Sequence, residues 1–185
     1  ADATNVIAEG EVLQLLNVHD PDVTEARYMQ VIHYKTARLF EASAQLSAVM
    51  SACTPEQENA CAAYGRHLGA AFQLADDILD YAGDTAVLGK NVGDDLREGK
   101  PTLPLIYVLE HGSDSEKAMV RAANENGGID QTHPDFNTIL TAITSGGALE
   151  YTRQLAQREV TAAKSALAFL PESEYKQVLL GLADY

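Results

Sequence analysis

The sequence predicts an all-α protein, and three observations carry that reading. The 185 residues include 28 Ala and 21 Leu against 12 Val and 7 Ile, so the best helix formers outnumber the β-branched residues that favour strands. No run alternates cleanly between apolar and polar residues, as a half-buried strand would. Helix-start signatures and glycine pairs punctuate the chain at helical intervals.

The elements follow in order. Pro21 and Thr24 open a helix that runs to about Ala52, with Tyr28, Val31, Ile32, Leu39, Leu46 and Val49 at helical spacing. Thr54-Pro55-Glu56-Gln57 reads as a capping box with proline at the first helical position. A second long helix is expected from Pro55 to about Tyr81. Residues 83–100 are polar and glycine-rich, and predict a loop or a broken helix. Pro104–Glu110 predicts a short apolar helix. Further helices are expected near Ser115–Asn126, Pro134–Thr144, Gly147–Phe169 and Glu172–Leu182, separated by Gly127-Gly128 and Gly146-Gly147. The length suits one domain, residues 1–185.

Composition excludes several classes. The formal charge of −14 disfavours a phosphate backbone or an anionic membrane as partner. No stretch approaches the roughly 18 apolar residues of a membrane span. No basic start precedes an apolar run, so no signal peptide is expected, and two free thiols suit a reducing cytoplasm. Cys53 and Cys61 make no disulfide framework; on one helix, eight residues would set them about 12 Å apart. A structural role in a reducing compartment is expected for both. The chain begins at Ala1, not Met, which suggests processing or a fragment.

The densest chemical signal is Phe72-Gln73-Leu74-Ala75-Asp76-Asp77-Ile78-Leu79-Asp80. At 100° per residue the three aspartates share a face about 100° wide, with Gln73 one turn earlier. Close anions repel unless something neutralises them, and hard divalent cations do so. Mg²⁺ prefers one or two carboxylates, retained waters and a phosphate ligand, so this face is a platform for Mg²⁺ and a diphosphate. A solvated acidic helix face would read the same way. The following segment, Gly89-Lys90-Asn91-Val92-Gly93 to Glu98-Gly99-Lys100-Pro101-Thr102, adds two lysines of the kind a diphosphate needs, although a solvated turn would also hold them. It is no Walker loop, because five residues separate Gly93 from Gly99 and proline follows Lys100. Nor is residues 76–83 an EF-hand. Lys35-Thr36 falls mid-helix, and Glu11 and Gln14 lie three apart on one face. The five histidines show no metal or triad spacing.

In this order the motifs Gly10-Glu11-x-x-Gln14-Leu15, Lys35-Thr36, Phe72-Gln73 to Asp80, Gly89-Lys90-x-x-Gly93 and Glu98-Gly99-Lys100-Pro101-Thr102 resemble the all-trans polyprenyl diphosphate synthases. Among these the chain looks most like the bacterial octaprenyl enzymes, which make quinone side chains. The resemblance implies an isoprenoid synthase-type helical bundle, of which this chain looks like the C-terminal half. The aspartate motif here resembles the family's second; the first has no counterpart in the sequence. By that likeness Asp76, Asp77 and Asp80 bind Mg²⁺. Lys35, Lys90 and Lys100 hold the allylic diphosphate, and Thr36 and Gln73 lie near the reacting carbon. The implied reaction joins an allylic prenyl diphosphate to isopentenyl diphosphate by ionisation, condensation and elimination. This chain alone is expected to be inactive, and its apolar faces predict a homodimer, a larger assembly or a rearranged bundle. The other reading is a small non-catalytic subunit that binds and modulates a full-length synthase.

Overall fold

The computed structural model describes residues 2–82 and 92–184, which form helices joined by turns, with no strand among them. Helix α1 spans Asp2–Asn17. The sequence reading set no bounds for it, and its apolar residues are spread around the circumference, leaving no face to detect. The helix expected over 24–52 is three pieces: α2 (Glu25–Ile32), a π-helical turn (His33–Ala37) and α3 (Arg38–Met50). Helix α4 runs Pro55–Ala82 behind the expected capping box. The Thr54 N–H donates to Gln57 Oε1 at 2.9 Å, and the Gln57 N–H donates to Thr54 Oγ1 at 3.4 Å.

A four-residue turn of helix, α5 (Asp94–Arg97), precedes α6 (Leu103–His111) and α7 (Asp114–Glu125). Ser113 and Glu116 cap α7 reciprocally, satisfying amide groups that the helix itself cannot. Then come α8 (Phe136–Ser145), α9 (Ala148–Ala166) with a 3₁₀ turn at Leu167–Phe169, and α10 (Glu174–Leu182). Cys53 lies in the turn before α4, not on it, so the helical spacing expected for the two cysteines does not apply; both thiols are free.

The described residues divide into two compact units. One comprises 2–11, 31–73 and 155–184, and the other 12–30 and 74–154. In the first, Tyr64, Ala163 and Leu167 are buried against Leu68, Leu170, Leu179 and Leu180. The Tyr64 hydroxyl donates to the Leu179 carbonyl at 2.8 Å, so its polar end is satisfied inside that core. In the second, Leu96, Leu105, Val120, Phe136, Ile139 and Ile143 form the centre of a core where α6, α7 and α8 pack together. Each such side chain contributes roughly 1.5–3 kcal/mol by leaving water. No described helix is long and apolar enough to cross a membrane.

Candidate functional site

In the first unit, Lys35 and Thr36 sit inside the π-helical turn. Such turns are rare and collect at functional positions, because the extra residue re-aims the side chains. Close helix approach places this turn. A Cβ on Gly69 would stand 2.6 Å from Ala37 Cα, and one on Gly65 would stand 2.3 Å from the Phe40 carbonyl oxygen. Only hydrogen at these two positions, one helical turn apart on α4, admits the backbone of the turn and of α3. The consequence is a contact between motifs 37 residues apart: the Thr36 hydroxyl donates to Gln73 Oε1 at 3.0 Å. Gly10 plays the same part on α1, where a Cβ would meet Lys35 N at 2.5 Å. That approach brings Lys35 Nζ within 3.3 Å of Glu11 Oε2. Lys35, Thr36 and Gln73 are therefore gathered, with Glu11 beside them.

The same unit holds a titratable cluster that sequence spacing missed. His67 Nδ1 lies 2.7 Å from Glu159 Oε2, and Arg66 pairs with Glu41 at 3.4 Å. His33, in the π turn, is held below the usual imidazole range by burial, with Glu159, Arg66, His67 and Glu41 as its charged surroundings. Residues 33, 67 and 159 are too far apart in sequence for any spacing rule to unite them.

In the second unit, the three aspartates of α4 part company. Asp76 is exposed, Asp80 half-buried and Asp77 only 2% exposed. Asp77 Oδ2 accepts the Tyr28 hydroxyl at 2.6 Å. Helical spacing alone placed all three on one face; the tertiary partner turns Asp77 inward. Asp80 Oδ2 accepts the Asp95 N–H at 3.2 Å, and the Asp80 carbonyl accepts the Gly93 N–H at 2.8 Å. Gly93 has φ +82°, a conformation open to glycine at little cost, and it starts α5 so that Asp95 faces back to Asp80.

Acidic groups gather here. Burial, and then the Asp95 carboxylate, push Asp80 up to about 6. Burial also raises Asp95, with Lys100 pulling against it. Lys100 Nζ lies 2.5 Å from Glu98 Oε2 and 3.6 Å from Asp95 Oδ1. Burial works to lower Lys100, but these acidic partners outweigh it and hold the ammonium above its ordinary range. Lys90 lies outside the described residues.

Among the described residues no three His, Cys, Asp or Glu side chains converge as a ready metal cage. The donor set still fits a hard divalent cation: oxygen donors only, with Asp76 exposed and Asp80 half-buried beside Asp95. Waters and phosphate oxygens would fill the rest of the shell, which is the mixture Mg²⁺ prefers.

Comparison with known proteins places this helical fold among the isoprenyl synthases. The family model described as polyprenyl synthetase matches residues 1–138. The octaprenyl diphosphate synthase of Escherichia coli K12 is 54% identical over 184 residues, covering 99% of this chain and 56% of that protein. The one from Haemophilus influenzae is 52% identical, over 99% of this chain and 55% of its own length. The crystal structure of a Caulobacter crescentus polyprenyl synthase, complexed with calcium and isoprenyl diphosphate, superposes with a TM-score of 0.92 at 43% identity. It matches 99% of this chain and 55% of its own. A decaprenyl diphosphate synthase from Rhodobacter capsulatus gives 0.90 at 41% identity, over 100% and 56% of the two chains. The chain belongs to the polyprenyl synthetase family. It spans about half the length of the curated relatives it matches.

Proposed function

We propose that this chain supplies the second aspartate platform and the diphosphate-holding lysines of a trans-prenyltransferase. That enzyme condenses an allylic prenyl diphosphate with isopentenyl diphosphate to give a long-chain, octaprenyl-type diphosphate for quinone side chains. One observation carries the reading: Asp80 is half-buried and joined to Asp95, with Asp76 exposed one turn earlier on the same helix and Lys100 in the same unit. Carboxylates gathered in this way are costly unless a cation and its ligand complete them. Likeness to octaprenyl diphosphate synthases over 99% of the chain supports the product class. The calcium and isoprenyl diphosphate bound by the Caulobacter relative support the ligand chemistry.

Bound Mg²⁺ would neutralise charge on the leaving diphosphate. Asp76 and Asp80 present the carboxylates for it, and Asp77 acts from inside the unit. Lys100, with Lys90 and Lys35, holds diphosphate oxygens as point charges. The allylic carbon–oxygen bond breaks with its electron pair leaving on the diphosphate. The double bond of isopentenyl diphosphate then supplies the pair for the new carbon–carbon bond, and the proton it loses passes to the released pyrophosphate. Thr36 and Gln73, fixed by their mutual hydrogen bond, orient the ionising end.

Calorimetric titration of the 185-residue chain with pyrophosphate and Mg²⁺ tests this. Heat that needs Mg²⁺ and vanishes in Asp76→Ala is expected. A Mg²⁺-dependent signal unchanged in Asp76→Ala would sink the site assignment. With one aspartate motif the chain is expected to incorporate no labelled isopentenyl diphosphate by itself.

A further inference from the structure

Tyr28 lies outside every motif that the proposed chemistry uses. It sits on α2 and is 5% exposed, yet its hydroxyl finds Asp77 Oδ2 at 2.6 Å, 49 residues on in sequence. A hydroxyl donating to a carboxylate at that distance is a charge-assisted bond, among the stronger kinds. Asp77 is almost wholly buried, where an unsatisfied carboxylate is heavily penalised.

Asp76 and Asp77 are adjacent on one helix, about 100° apart around its axis. Fixing the azimuth of one fixes that of the other. A second buried tyrosine works on the same stretch of α4. The Tyr81 hydroxyl lies 3.4 Å from Thr102 Oγ1, which ties that stretch to the segment carrying Lys100. We propose that Tyr28 is a positioning residue for the diphosphate site: by keeping the Asp77 carboxylate inside, it sets the rotation of α4 at which Asp76 meets the cation and diphosphate. This inference rests on the diphosphate reading above.

The test is a double-mutant cycle on the 185-residue chain, read by calorimetric affinity for pyrophosphate in the presence of Mg²⁺. Tyr28→Phe removes one oxygen and keeps the ring that fills the core. If Tyr28 acts through Asp77, Tyr28→Phe and Asp77→Asn should each weaken binding about tenfold, and the double variant should bind no more weakly than Asp77→Asn. Additive losses would mean that Tyr28 acts independently of Asp77, and they overturn the proposal. Circular dichroism and urea midpoints check that each variant is folded, and Asp77→Glu replaces Asp77→Asn in the cycle if the latter is not. Wild-type binding with Tyr28→Phe unaltered refutes the positioning role and leaves the diphosphate reading standing. Wild-type chain that gives no Mg²⁺-dependent heat refutes the diphosphate reading, and this inference with it.

Discussion

His33 occupies the π-helical turn with its Nδ1 buried and, among the described residues, unmatched by a hydrogen-bond partner. Burial disfavours its charged form and lowers its pKa from the ordinary 6.5. The sign of the consequence follows from linkage. Below that value the unfolded chain takes up the proton more readily than the folded one, so stability falls as pH drops through 6.5 toward the folded-state pKa. Asp80, pushed up to about 6, gives the opposite slope in the same range, so the His33 effect is read as a difference between variants. Between about pH 7.5 and 5 the thermal midpoint of His33→Gln, which cannot take up a proton, should fall less, or rise more, than that of the unsubstituted chain; identical slopes would place the effect elsewhere. The aspartates make a related point about what sequence carries. Helical spacing identified Asp76, Asp77 and Asp80 as neighbours, but the partner that buries Asp77 lies 49 residues away, beyond any local pattern.

Among the elements, α4 and its cap were legible because they depend on residues within one or two turns. The Thr54 box opens α4 at Pro55, where local chemistry put it. The π turn was not legible. It departs from the regular helical ladder for five residues, while the apolar spacing on either side continues as though one helix ran through. In space, helices pack closely on this turn through glycine. At Gly10 a methyl group would meet three backbone atoms of Tyr34 and Lys35 at 2.5–2.8 Å, so α1 and the turn must separate to admit it. Gly10→Ala is expected to destabilise the chain by about 1–3 kcal/mol and to pull Lys35 from Glu11. Gly181, on α10, has nothing within 4 Å of an added Cβ. There alanine should stabilise by roughly 0.5–1 kcal/mol through helix propensity alone. Urea midpoints of the two variants should move in opposite directions, and a shift of the same sign in both would refute the contact argument.

At the scale of the whole molecule, the described residues expose large apolar side chains in stripes. Helix α3 exposes Leu39, Leu46, Val49 and Met50, with Met50 at 81%. These recur at intervals of seven, three and one, so they form a stripe along the helix while Ala48 turns inward. Helix α1 exposes Val12, Leu15 and Leu16 near its C-terminal end. Isolated apolar side chains on a surface are ordinary, but stripes of them mark faces that meet a partner. A net charge of −14 opposes association at long range, yet salt screens that repulsion within about 10 Å at 0.1 M and leaves the apolar contact attractive. We therefore expect the chain to associate, and to do so more strongly as salt is raised. Light scattering across a concentration series at low and moderate salt measures this directly, with an apolar dye reporting the exposed faces. Leu46→Glu with Met50→Lys, both on exposed α3 positions and together neutral in charge, should shift the population toward monomer and lower the dye signal. A wild-type chain that is monodisperse and monomeric at every salt concentration, with no dye bound, would show that these stripes tolerate water and that their exposure carries no partner.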